Sequence, residues 1–99
     1  MFTHLVLFEI ALRELADYHK DCRMWASYAR KAGGFIRYLT VKRVDHKNQY
    51  ASVNEWKTKQ AHDRFMNKFH DWLVSKSKAK VKVLGYYNLK SVYKALIQK

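Results

Sequence analysis

The stretch that most constrains the fold runs from Tyr50 to Leu73. Tyr50 to Trp56 has the alternation of a strand, ending on Asn54-Glu55-Trp56. From Lys57 to Trp72 the pattern changes to that of a helix, and Ala61, Phe65, Phe69, Trp72 and Leu73 recur at steps of three and four to form its apolar stripe. Thr58 is placed to cap that helix, with Asp63 near its positive end. An amide and an aromatic ring at a strand end facing a helix are placed to line a cavity. A ring as large as indole is also the natural anchor of a core, so Trp56 has two readings at this level.

The rest of the chain surrounds this junction. Phe2 to Ile10 reads as a central strand, with Leu5, Leu7 and Glu9 on one side and His4, Val6, Phe8 and Ile10 on the other. Leu12, Leu15, Tyr18, Cys22, Trp25, Ala29 and Ala32 follow at helical spacing, with charged residues between them. Gly33-Gly34 stops this helix, the first glycine suiting a left-handed cap and the second a tight turn. Phe35 to Val44 has period two, with Phe35, Arg37, Leu39 and Val41 opposed to Ile36, Tyr38, Thr40 and Lys42. Asp45 to Gln49 is a turn into an antiparallel partner. Ser75 to Lys78 reads as a loop, Ala79 to Leu89 as a last strand, and Ser91 to Lys99 as a short terminal helix.

The order is therefore β-α-β-β-α-β over residues 1–90, followed by a helical tail over 91–99. Two helices on one face of a four-stranded antiparallel sheet, an α+β ferredoxin-like subunit, is the expected solution. The other sheet face would be wet in a monomer. With Phe8 and Tyr38 assigned to it, a second copy pairing face to face would cover them. A core of 99 residues is also small enough for a partner subunit to matter to stability.

Composition narrows the setting. No apolar run approaches the length of a membrane span, and the first residues lack a basic leader. The single Cys22 excludes an internal disulfide and suggests a reducing compartment, with cytoplasm the expectation. The formal charge of +12 is uneven: residues 34–99 hold fifteen basic and four acidic side chains, and from Val74 onward there are seven lysines and no acid. Such a field attracts polyanions without specifying one. Lys76, Lys78, Lys80 and Lys82, with Tyr86 and Tyr87, form the one candidate nucleic-acid strip, although alternating lysines also guard an edge strand against aggregation. No phosphate-binding glycine loop, nucleophile elbow, carboxylate pair or Rossmann fingerprint is present. His62 and His70, eight apart, lack the spacing of a metal pair. An inward wall of His4, Val6, Phe8 and Tyr38 is another candidate surface, on which His4 would serve as a base or as a structural histidine.

Gly34-Phe35 and the run Ala51-Ser52-Val53-Asn54-Glu55-Trp56-Lys57-Thr58-Lys59-Gln60-Ala61-His62, with Phe65 behind it, resemble the antibiotic biosynthesis monooxygenase family of dimeric α/β barrels. The resemblance spans residues 2 to 90 and implies a homodimer of ferredoxin-like subunits with facing sheets. The family includes cofactor-independent quinone-forming monooxygenases, haem-degrading enzymes and proteins of unassigned role. Where the haem-degrading branch carries an asparagine, a tryptophan and an iron-ligating histidine, this chain holds Val6, Phe65 and Ser75, with His70 the nearest substitute ligand. In the cofactor-independent branch an asparagine and a tryptophan near the end of the third strand act with a tyrosine. Here those positions are Asn54 and Trp56, two apart rather than more widely spaced, with Tyr50 or Tyr86 as the tyrosine. The resemblance thus implies a monooxygenase acting without metal or flavin on a small aromatic, phenolic molecule. Asn54, Trp56 and His4 would be its catalytic residues, and Phe65, Trp72, Tyr38 and Phe8 its substrate wall. Asn54 would hydrogen-bond a phenolic or enolate oxygen, and the substrate carbanion would itself react with dioxygen. Haem binding, a non-catalytic dimeric ligand-binding module and a nucleic-acid-binding module are the alternatives.

Overall fold

The computed structural model describes residues 1–93 and 95. Its elements are β1 (Phe2–Glu9), a single 3-10 turn (Leu12–Glu14), α1 (Leu15–Ala29), β2 (Phe35–Lys42), β3 (Gln49–Trp56), α2 (Lys59–Lys76) and β4 (Lys82–Lys90). The strands form one antiparallel sheet in the order β2-β3-β1-β4, the ferredoxin-like arrangement. The expected terminal helix over 91–99 rests largely on residues outside those described. Ser91 leaves β4 with its N–H donated to the Met1 carbonyl at 3.0 Å.

Residues directly opposite one another in antiparallel strands point to the same face. Phe2, His4, Val6 and Phe8 of β1 therefore share a face with Trp56, Asn54, Ser52 and Tyr50 of β3. Both helices cover this face. One core cluster joins Phe2 and Trp56 to Ala29 of α1 and Ala61, Phe65 and Leu73 of α2. A second joins Ile10 to Tyr18 and Cys22 of α1, with Phe8, Tyr38 and Tyr50 packed against it.

Phe8 and Tyr38 thus lie under α1 rather than on the uncovered face. Their strand parity follows that of His4 and Asn54, and Tyr18 fills the space above Phe8 at 5.7 Å between ring centroids. The other face, bare of helices among the described residues, carries Leu5, Leu7, Leu39, Val41, Val53, Tyr87 and Leu89 instead. It also carries the paired Arg37 and Glu55, whose carboxylate accepts from the guanidinium.

Trp56 is the anchor, 1% exposed. Phe35 meets it edge-on and Phe65 tilts against it, each at 5.3 Å between centroids. Withdrawing about 200 Å² of ring from water contributes roughly 5 kcal/mol at about 25 cal/mol per Å², before the entropy of ordering is subtracted. Phe35 reaches this position through a register shift between Phe35 and Arg37, which returns it to the helix side and breaks the strict alternation with Tyr38.

The corner beside Trp56 is tight. Gly34, not Gly33, takes the positive backbone angle, φ +86°, and a β-carbon there would come within 2.6 Å of the Ala61 side chain. The chain must pass under the start of α2 at this point, and the Gly34 carbonyl accepts from the Lys57 N–H at 2.8 Å. Thr58 caps α2 as its position predicts, accepting from the Ala61 N–H at 3.1 Å.

Other boundaries differ from the sequence expectation. Leu12 is 80% exposed because the first helix begins only after the 3-10 turn. Helix α2 continues through Ser75 to Lys76, with Leu73 wholly buried beneath it. Lys76 is therefore helical, Lys78 and Lys80 lie in a connection, and only Lys82 is in a strand. The four lysines do not form one strand face, and Tyr86 and Tyr87 point to opposite faces of the sheet.

Candidate functional site

One rung of the sheet breaks the hydrophobic pattern under the helices. Tyr38 pairs with Asn54, Asn54 with His4, and His4 with Asn88, so four polar side chains cross all four strands on the covered face. Chain separation in sequence hides this row, and only strand register assembles it. The next rung carries Thr40, Ser52, Val6 and Tyr86.

A cavity of about 350 Å³ lies between these rungs and the helices. His4, Asn54, Trp56, Phe65, Tyr38 and Phe8 all border it, as six of the seven sequence-derived site residues. Trp72 does not. It is 45% exposed, packs edge-on against Tyr28 and lies under the Lys76 ammonium. One position short of Leu73 along α2, it falls just off the buried stripe. The exposed members of the lining, His70 and Val74 on α2 with Val81, Val83 and Tyr86 around β4, place the opening between the end of α2 and the edge strand.

Asn54 is oriented by its neighbour. The Trp56 indole N–H donates to the Asn54 side-chain oxygen at 2.7 Å. Since indole nitrogen is only a donor, the amide oxygen must face Trp56, and the amide NH₂ remains as a pair of donors beside the cavity. Trp56 therefore both anchors the core and sets this amide.

On the next strand His4 is almost buried, and its Nδ1 lies 2.8 Å from the Asn88 side-chain oxygen. The ring of His62, from α2, packs on it at 4.8 Å between centroids. The buried His62 has its Nδ1 against the Asp63 carboxylate, while its Nε2 has no hydrogen-bond partner among the described residues. Burial above all holds the His62 imidazole below the ordinary histidine range, with the Asp63 carboxylate opposing.

The far end of the cavity is phenolic. The Tyr18 hydroxyl bonds the Ser52 hydroxyl at 2.6 Å, with the Cys22 sulfur at 3.9 Å from the same oxygen. Burial raises the Tyr18 phenol well above the ordinary tyrosine range, and the bond to Ser52 offsets part of this. Tyr38 is raised in the same direction, again chiefly by burial and then by the proximity of Cys22. Both remain neutral donors at physiological pH.

The opening is fenced by a short strap between α2 and β4. The Asp21 carboxylate accepts from the backbone N–H of Lys78 and of Ala79, and Glu14 from that of Lys80. The Trp25 indole donates to the Ser77 hydroxyl at 3.0 Å. Ser77, Ala79, Val81 and Val83 turn into the cavity, while the lysines between them are exposed.

Tyr18, Ser52, Asn88 and His62 escaped the sequence reading as site residues. Ser52 and Asn88 left only a faint signal, an uncharged polar side chain within a β-patterned run. Of the positions matching the haem-degrading branch, Val6 and Phe65 present apolar walls, and Ser75 donates to the Trp72 carbonyl on the outer part of α2. His70 stands at the opening with Nδ1 on Asp71 at 3.0 Å.

No protein-family model and no curated protein sequence matches the chain. Solved structures do. SnoaB, a cofactor-independent oxygenase from Streptomyces nogalater, superimposes with a TM-score of 0.73 at 14% identity, over 94% of each chain. A candidate antibiotic biosynthesis monooxygenase from Deinococcus radiodurans gives 0.69 at 12% identity over 100% of both chains. One from Bordetella bronchiseptica gives 0.70 at 16%, covering 93% of this chain and 97% of the other. The resemblance carried by Gly34-Phe35 and the Ala51–Phe65 run is borne out at the level of the fold.

Proposed function

We propose that this chain is a monooxygenase-type enzyme that oxidises a small phenolic molecule in the cavity between sheet and helices, using neither metal nor flavin. The observation that carries this reading is the Trp56–Asn54 bond, which leaves the Asn54 amide donors free beside His4. Fold likeness to a cofactor-independent oxygenase supports it without deciding the substrate.

In this reading a planar substrate lies against Phe65, Phe8 and the edge of Trp56. A hydroxyl proton passes to His4, and the Asn54 amide stabilises the oxyanion that remains. The electron-rich ring carbon then reacts with dioxygen. One oxygen atom becomes a carbonyl, and the other leaves as water with the two hydrogens lost by the substrate. Tyr18, Tyr38 and Ser52 supply neutral hydrogen-bonding groups for a second oxygen on the ring. The subunits act as a homodimer, since the uncovered face presents Leu5, Leu7, Leu39 and Val53 in one patch.

The test is oxygen-dependent turnover across a panel of phenols and quinols. Asn54→Leu is expected to lower kcat about 100-fold, the scale of losing one oxyanion donor, and exclusion of oxygen to abolish product. Tight binding without turnover by the wild type would replace the enzyme reading with a ligand-binding one.

A further inference from the structure

The polar rung contains one member that the proposed chemistry does not use. Asn88 lies on the edge strand, exposed, 84 residues away in sequence from the histidine it contacts. Register places His4 between two amides: Asn54 opposite it on β3 and Asn88 opposite it on β4. The two differ in which atom is engaged. Asn54 gives its oxygen to Trp56 and keeps its donors; Asn88 gives its oxygen to His4.

A neutral imidazole carries one N–H, and the hydrogen bond at one nitrogen decides which nitrogen is left as the base. With the Asn88 oxygen as acceptor, the proton sits on Nδ1 of His4 and the lone pair on Nε2. Nε2 has no hydrogen-bond partner among the described residues, and His4 borders the cavity.

We infer that Asn88 is a positioning residue, which holds His4 in the Nδ1–H tautomer so that Nε2 is the proton acceptor next to the Asn54 donors. This rests on the monooxygenase reading for its purpose, but not for the tautomer itself. The step it sets up is a single proton transfer. The substrate O–H bond breaks, a bond forms from that proton to Nε2, and the electron pair stays on the oxygen facing Asn54. The imidazolium so formed keeps its Nδ1–H on the Asn88 oxygen, and dipoles already oriented toward the charge need no rearrangement.

The groups packed around His4 agree with this assignment. Asn54 comes from β3, Asn88 and Tyr86 from β4, and His62 from α2, with the Tyr86 ring stacked at 6.4 Å. The second imidazole in contact, His62, is held toward its neutral form by burial, so it does not oppose the cation.

The experiment reads the tautomer directly, by two-bond proton–nitrogen correlations on uniformly ¹⁵N-labelled protein, without substrate. Wild-type His4 is expected as Nδ1–H. Asn88→Leu is expected to move it toward the Nε2–H form that an unconstrained histidine side chain prefers in water, while Asn88→Asp, which keeps the acceptor, retains Nδ1–H. The His62 and His70 signals serve as the check that each variant is folded. With an active substrate, Asn88→Leu should lower kcat about tenfold with little change in KM, and Asn88→Asp should move the acid limb of the pH profile upward by about one unit. An Nε2–H signal for His4 in the wild type, or no change in Asn88→Leu, overturns the inference even if Asn54→Leu abolishes turnover. The expected tautomers with no turnover on any phenol would leave the role of Asn88 standing and remove the monooxygenase reading.

Discussion

The two ends of the helix-covered layer are held by different physics. At the Trp56 corner, rings and small residues interlock: Phe35, Phe65 and Phe2 surround the indole, and Gly34 touches Ala61 with no room for another carbon. At the opposite end, no helix among the described residues lies above β4, and the strap leading into it is held by Asp21, Glu14 and Trp25 through hydrogen bonds. Close packing resists any displacement, because a methylene-sized shift is felt at once. Carboxylate-to-amide bonds at a surface exchange with water at modest cost. The cavity lies between a close-packed wall and one held by hydrogen bonds, and the proposed site residues Asn54 and Trp56 belong to the close-packed one.

This contrast can be broken at either end. Gly34→Ala should have the largest effect, about 3 kcal/mol of lost stability from the strained backbone angle and the clash with Ala61 together. Chemical denaturation measures it, and adding Ala61→Gly should recover the packing part but not the part due to φ. If the single variant is neutral, the corner is not rigid.

Asp21→Ala should cost roughly 1 to 2 kcal/mol, since two backbone N–H groups lose a charged acceptor but can reach water. Its sharper signature is local: amide hydrogen exchange at Lys78 and Ala79 should accelerate while that at Trp56 and Leu73 stays protected. Uniform acceleration would mean that the strap and the corner unfold as one unit.

The smallest effect concerns His62. Its folded-state affinity for protons is lowered by burial, so the unfolded chain binds more protons in mild acid, and stability is lost as pH falls below the ordinary histidine value of about 6.5. His62→Phe keeps a ring against Phe2 and Trp56, removes the unpartnered Nε2, and should gain about 1 kcal/mol near pH 5.5 with a smaller gain at pH 8. Equal gains at the two pH values would show that the orphaned nitrogen matters and the titration does not.

Much of the fold was legible because alternation and helical repeats depend on near neighbours. The strand ending at Trp56, the cap at Thr58 and the stop before Phe35 all follow from residues within a few positions of one another. Phe35 is misplaced because one extra residue changes parity, whereas for Phe8 and Tyr38 the alternation holds and the helices cover the face expected to be open. The register shift beside Phe35 and the one opposite Leu7/Phe8 are invisible in a hydrophobic pattern, and each re-aims side chains across the sheet. Trp72 was misplaced for the matching helical reason, since one step along α2 separates the rim of the apolar stripe from its centre.

The site was legible only in part. Asn54 and Trp56 stand two apart, so their contact is local and could be anticipated from strand geometry. Asn88 and His4 are joined by pairing between the last strand and the first, and Tyr18 and Ser52 by the packing of a helix on a distant strand.

The sequence by itself determined the order of elements, the tight glycine corner and the aromatic anchor, because each follows from local sterics and burial of apolar surface. Tertiary structure alone decided which polar groups share a rung, which face Phe8 and Tyr38 occupy, and which nitrogen of His4 is left free. Those outcomes depend on register and on the partner available across a strand, and neither is a property of any residue together with its sequence neighbours.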